Sequence, residues 1–320
     1  MTPELLGAAR ATAHLINTRI NVVIPSILAE GEPFAARVSI TGSDALPVDA
    51  SDITLHFEEC VGIVGLPASF RAAAGESTGR IEGLTAVGPD TALIRMRVEW
   101  ASCKATISSN PAWVFKNPAY RLFFGDTHVH TEFSNCSGWR CLSPDWCYEY
   151  AREISLLDFV APADHLRGIA SEPRRWQQLQ ASARRHNAPG DFVSFLAFES
   201  SHAQGFGGDN NVYFLEDDAP YFWLDREDMR GISPQVRLRE LWRFLDESGK
   251  TYFTAPHHTG RAAKYRAWDE DCHDPAREPL FEIYSSWGSS EMRHTRLPIS
   301  GGNNDAPSYF VDALKAGAQF

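Results

Sequence analysis

Two histidines one residue apart, His128 and His130 in Gly125-Asp126-Thr127-His128-Val129-His130-Thr131, follow directly on the apolar run Leu122-Phe123-Phe124. Side chains alternate along a strand with a period of two, so Asp126, His128 and His130 are expected on one face. Neutral imidazoles at that spacing can grip one divalent cation or two adjacent ones, and Asp126 is placed to fix a ring by accepting its second N–H. The same residue types recur at the ends of later strand-like runs. Asp158-Phe159-Val160-Ala161-Pro162-Ala163 leads into Asp164-His165, Phe192 to Phe198 into Glu199, and Thr251 to Ala255 into Pro256-His257-His258. A fourth run, Leu280 to Ser285, carries Glu282 in its middle. Such a set suits metal-assisted hydrolysis, in which a bound cation lowers the pKa of its water to about 7 and a neighbouring cation polarises the group under attack.

Positioning these residues requires regular elements, and the pattern around them supplies a consistent set. Short apolar runs separated by helical patterns predict parallel strands joined by helices. Helices are expected from Pro144 to Ile154 with Ser143 as N-cap, over about Arg174 to His186, and from Ser233-Pro234 through Leu241, Phe244 and Leu245 to a stop at Gly249. Ligands gathered at the C-terminal ends of successive parallel strands are where an α/β barrel places its chemistry. Ahead of this region a helix is expected through about Ile20, then short β-like pieces at Asn21–Ile24, Ala36–Ile40, Ile53–Phe57 and Ala92–Trp100. Regular short strands with Gly, Pro and Asp between them predict an all-β, sandwich-like domain. The stretch from Asn110-Pro111 to Pro118 marks the boundary, giving an N-terminal domain over 1–118 and a metal-binding α/β domain over 119–320. The first half carries no titratable cluster, so its expected role is packing, shaping the mouth of the site, or self-association into a homo-oligomer.

The ordered motifs 125–131, Ala163-Asp164-His165, Phe198-Glu199 and Pro256-His257-His258 resemble those of the PHP superfamily, named for polymerase and histidinol phosphatase. The resemblance runs from about Tyr120 to the C-terminus. With the β-rich first half and the segment Glu282 to Glu291, it is most similar to a branch with a β-rich N-terminal domain. What the resemblance implies is a distorted (β/α) barrel of about seven strands, holding two or three divalent ions (Zn, Mn or Fe) and hydrolysing phosphate esters. It implies that His128 and His130 are ligands from the first strand, His165 one from the second, and Glu199 a bridging carboxylate. His257 is the implied ligand of the Pro-His-His motif, with His258 as the alternative. Asp209 stands where relatives place His before an Asn-Val pair, and His202 competes for the same role. Asn135 stands where relatives carry Asp, and an amide brings no charge. The family's last strand delivers an Asp-x-His pair. Here the helical pattern 308–317 is followed by Ala318-Gln319-Phe320, so a truncated strand and an incomplete cluster are expected, with Gly301 to Asp305 as a loop donor.

An anionic small-molecule substrate needs positive charge beyond the metals, and Arg167 beside His165 and Arg261 just past His258 are the expected contacts. If His257 takes a metal, His258 is the expected proton donor to the leaving group. Trp139, Phe222, Trp223 and Trp287 suit either core packing or an organic substrate. The net charge of -11 would repel a phosphate backbone, which argues against nucleic acid and leaves a small phosphorylated compound open. At 320 residues and 43% hydrophobic content, two cored domains are expected. Of six cysteines, Cys136, Cys141 and Cys147 match no common metal spacing, and Cys60 and Cys103 could bridge two sheets. Residues 1–20 have no secretory signature and no apolar run is long enough to span a bilayer, so reduced thiols and a cytoplasmic location are expected. Three readings follow: a phosphoesterase, a hydrolase of a C–O or C–N bond, and a non-catalytic binding domain.

Overall fold

The computed structural model describes residues 18–58, 60–100, 103–134, 143–201, 209–222, 234–262, 266, 268, 273–302 and 308–320. The chain divides into two units, Met1–Gly125 with Glu149–Asp158, and Asp126–Tyr148 with Phe159–Phe320. The boundary expected at 118 therefore falls at 125, and a segment expected in the second domain returns to the first. Hydrogen bonds explain the return. The Arg37 guanidinium donates to Leu157 O at 2.9 Å and to Asp158 Oδ1 at 2.6 Å, Ser39 Oγ donates to Ile154 O, and Tyr150 Oη to Ala45 O.

In the first unit, Arg19–Val23, Pro33–Thr41, Thr78–Ala86 and Ile63–Val64 form one antiparallel sheet in that spatial order. Cys103–Ser108, Arg95–Trp100, Thr54–Phe57 and Ser69–Arg71 form a second. Ile27–Ala29, Ala112–Phe115 and Thr91–Ala92 make a third, smaller sheet. Alternate residues of both larger sheets, among them Val38, Ile40, Leu55, Leu84, Met96 and Val98, meet in one core. The helix expected through Ile20 is corrected at its end, because Ile20 pairs with Ile40 inside a strand. The strand Thr78–Ala86 went unpredicted because Gly79 and Gly83 interrupt its pattern. A Cβ at Gly79 would lie 2.5 Å from the Phe70 ring, so the glycine lets that ring approach.

In the second unit, Gly125–Val129, Phe159–Pro162 and Val193–Ser194 form one sheet, and Leu196–Ser201, Asp209–Phe214 and Tyr252–His257 another. Phe195 N donates to Val160 O at 3.0 Å and Glu199 N to Asp164 O at 2.9 Å, which join the two into one continuous surface. Helices form where their periodicity places them. Arg174–His186 buries Trp176, Leu179, Ala183 and His186 on one stripe, and Pro234–Glu247 is followed by Gly249 at φ 66°. Ser143 caps Pro144–Glu149 by accepting from Trp146 N at 3.3 Å, and the helix widens to a π turn over Tyr150–Ile154. Among the described residues no helix is long and apolar enough to cross a membrane.

The expected (β/α) barrel of about seven parallel strands does not form. Leu196–Ser201 runs antiparallel to Asp209–Phe214, which runs antiparallel to Tyr252–His257, and the described strands close no barrel. The physical reason is chain length: only residues 202–208 separate the first two strands, and a parallel crossover needs about a dozen or more. Two further strands are also corrected. Of the run Leu280–Ser285 only Tyr284–Ser285 is strand, paired with Gly288–Ser289, and no strand forms at Ala318–Phe320. The Phe320 ring packs instead on Phe281 and Phe310, at centroid distances of 5.4 and 5.7 Å.

Cys60 and Cys147 are free thiols, and Cys136 and Cys141 lie outside the described residues. Burial, aided by Asp164 and Asp126, pushes the Cys147 thiol up to about 12. Since the thiolate is the nucleophile, Cys147 is expected to resist iodoacetamide at pH 8 while half-buried Cys60 is alkylated, as peptide mass mapping would show.

Candidate metal centre

The sheet brings the expected ligands together through its register. His128 lies on Gly125–Val129 and His130 just beyond it, while Ala163 N donates to Val129 O at 2.8 Å and draws Asp164-His165 alongside. The bond from Glu199 N to Asp164 O then sets His165 against Glu199 in a parallel bridge. In the antiparallel ladder Asp209 lies opposite His257 and Asn211 opposite Glu199. Cross-strand partners and alternate residues share a face, so Glu199, Asp209 and His257 point the same way.

Glu199 is buried at the centre of the cluster. Its Oε2 lies 3.7 Å from His128 Nε2, 3.5 Å from His130 Nε2 and 2.6 Å from His165 Nδ1. Its Oε1 lies 3.0 Å from His257 Nε2, which is 3.9 Å from Asp209 Oδ2. The donors fall into three overlapping sets, His128 with His130 and Glu199, Glu199 with Asp209 and His257, and His128 with His257 and Glu282, and Glu199 belongs to two of them.

Electrostatics follow from this crowding. Burial works against charge on Glu199, but His128, His165 and His257 outweigh it and hold the carboxyl well below its usual range. Burial likewise opposes charge on His128, yet Glu199 and Glu282 raise it to about 10. His165 is raised against burial by Glu199, whereas His130 falls to about 4, burial being the main cause. A proton on His128 between two carboxylates is the charge balance a cation would otherwise supply.

Part of the donor set has the spacing a divalent ion requires, while the contacts of Glu199 with His165 at 2.6 Å and His257 at 3.0 Å are hydrogen bonds. Separations of 3.5 to 3.9 Å are too long for hydrogen bonds. They approximate the spacing of about 3.4 Å between two ligands on one cation with bonds of about 2.1 Å. His128 Nε2 is buried with no hydrogen-bond partner, and neither amide atom of buried Asn211 is satisfied. Imidazole and carboxylate donors of this mix suit Zn, Mn or Fe.

Several outer partners were not assigned from sequence. Glu282 Oε2 lies 2.5 Å from His128 Nδ1, the role expected of Asp126. Asp126 instead accepts from the backbone N of His128 at 2.9 Å, because that amide is nearer its short side chain than any ring nitrogen of the cluster. Asp164, fully buried, accepts from Thr131 and Ser134, and Ser134 Oγ lies 2.7 Å from His130 Nδ1. The carboxylate of Glu282 was visible in its run, but nothing local ties it to a histidine 154 residues away.

Of the neighbouring histidines, His257 faces Glu199, while His258, at φ 55°, turns to Ser285 Oγ at 3.3 Å. Burial, then His257, pushes His258 down to about 2. Arg261 stacks over the Trp287 ring at 3.9 Å and makes no ion pair among the described residues. Arg167 is exposed on Leu166–Ala170, and Phe222 is buried. His202, Asn135, Trp139, Trp223 and the loop Asn303 to Asp305 lie outside the described residues.

Glu199 is thus a buried carboxylate with four imidazoles, His128, His130, His165 and His257, around it. No family model and no curated protein matches the chain. Among solved structures it is similar to a conjugative transposon lipoprotein from Bacteroides eggerthii, at 13% identity, covering 29% of this chain and 97% of that one, with a TM-score of 0.21. A likeness at that level carries nothing about fold or activity.

Proposed function

We propose that the protein is a metal-dependent hydrolase, acting on a small phosphorylated compound. The observation that carries this reading is Glu199, whose Oε2 faces His128, His130 and His165 and whose Oε1 faces His257. His128, His130 and His165 would hold one cation with Glu199, and Asp209 and His257 the other. Bound cations supply hydroxide at neutral pH and draw charge from a phosphoryl oxygen. The chain's own part is to hold the donors around the buried Glu199 carboxylate, where charges interact more strongly than in water. Arg261, its guanidinium braced flat on Trp287 beside His258, is suited to bind the non-bridging oxygens of a phosphate.

Metal per chain after dialysis, measured with turnover of p-nitrophenyl phosphate and a panel of esters and lactones, tests the proposal. About two ions with phosphatase activity supports it. Two ions with turnover of esters or lactones alone would move the assignment to C–O or C–N bonds, and no ion at all would leave a binding domain. Arg261→Ala is expected to keep its metal and lose about 10- to 100-fold in kcat/KM for a phosphate ester, the worth of a charged hydrogen bond.

A further inference from the structure

We propose that Ser134 and Asp164 form a positioning relay that sets the tautomer of His130 from outside the cluster and turns its Nε2 lone pair toward Glu199. The role of the relay in metal binding rests on the metal-centre reading; the tautomer itself does not.

With Asp164 as the carboxylate, the hydrogen bonds leave one arrangement of protons. Asp164 Oδ1 accepts from Thr131 N at 2.6 Å and from Ser134 Oγ at 2.6 Å, and Oδ2 lies 2.7 Å from Thr131 Oγ1. A hydroxyl has one proton to give, and the Asp164 oxygen takes that of Ser134. Ser134 Oγ also receives the backbone N–H of His165 at 3.0 Å, so it faces His130 Nδ1, 2.7 Å away, as an acceptor. Nδ1 must then carry the ring proton, and a neutral imidazole protonated at Nδ1 has its lone pair on Nε2. That nitrogen lies 3.5 Å from Glu199 Oε2. His128 is handled differently, with Glu282 accepting from its Nδ1 directly.

Imidazole 15N–1H correlation spectra of the metal-free full chain at pH 8, assigned with His130→Ala, provide the test. In the native protein the His130 proton is expected on Nδ1. In Ser134→Ala that preference is lost, and in Asp164→Asn the amide can donate to Ser134, whose proton turns to Nδ1 and moves the ring proton to Nε2. Ser134→Thr keeps the hydroxyl and is expected to restore the native signal. Titration with Zn2+ alone is expected to show about 10- to 100-fold weaker binding in Ser134→Ala, with circular dichroism confirming the fold. A native His130 protonated at Nε2, or a folded Ser134→Ala with unchanged tautomer, would overturn the relay. Native protein that shows the Nδ1 proton yet binds no metal would leave the relay standing and remove the proposed function, so the two failures are separable.

Discussion

On the proposed metal-centre reading, Glu199→Gln is expected to abolish metal binding while leaving the protein folded. The substitution keeps the shape of the side chain and removes the charge that holds His128, His165 and His257 around it. Replacing a group that merely orients a ligand costs about 10- to 100-fold in metal affinity, so removing the shared ligand is expected to cost about 10³-fold or more. The two sets that contain Glu199 each lose a member, which leaves only His128, His257 and Glu282 complete. Metal analysis after dialysis should therefore fall from two ions per chain to nearly none, and hydrolysis should vanish with them. Loss of the negative charge also removes a main support for the raised pKa of His128, whose imidazole would then titrate well below its native value of about 10. Full retention of both ions by the folded variant would refute the shared-carboxylate assignment.

Gly168→Ala is expected to produce the largest loss of stability from the smallest change. A Cβ at Gly168 would sit 1.8 Å from Phe133 O, 2.9 Å from Phe133 C and 3.0 Å from Ser134 C, all backbone atoms that no rotamer change can move aside. Overpacking of this kind costs about 1–3 kcal/mol and occasionally more, and the severity of the contact points to the upper end, about 3 kcal/mol. The displaced segment carries Ser134, so His130 should lose its hydrogen bond as the helix Leu166–Ala170 is pushed away. Urea unfolding of the metal-free variant measures the first effect and Zn2+ titration the second. A variant as stable as the native protein would show that the backbone contact at Gly168 yields easily.

The helices Arg174–His186 and Pro234–Glu247 were legible because their apolar stripe and end signals are local. His128, His130, His165, Glu199 and His257 were legible as chemistry-bearing residues at strand ends and Asp209 through the family resemblance, and the structure gathers four of the histidines around Glu199, with Asp209 3.9 Å from His257. The direction of the strands was not. Hydrophobic runs look alike whether their neighbours run parallel or antiparallel, and the short 202–208 link was the one signal that opposed the barrel. The N-terminal half showed its β character, but the return of Glu149–Asp158 to it depends on Arg37 and Ser39, more than a hundred residues earlier.

By itself, then, the sequence determined which residues carry cation-binding chemistry and where the helices Arg174–His186 and Pro234–Glu247 lie, because residue type and periodicity are properties of neighbours along the chain. Only the tertiary structure decided that Glu199 stands between two donor sets, that Glu282 serves His128, and that Ser134 and Asp164 serve His130. Those pairings are set by strand register and by hydrogen-bond geometry between distant segments, neither of which leaves a periodic trace in the order of amino acids.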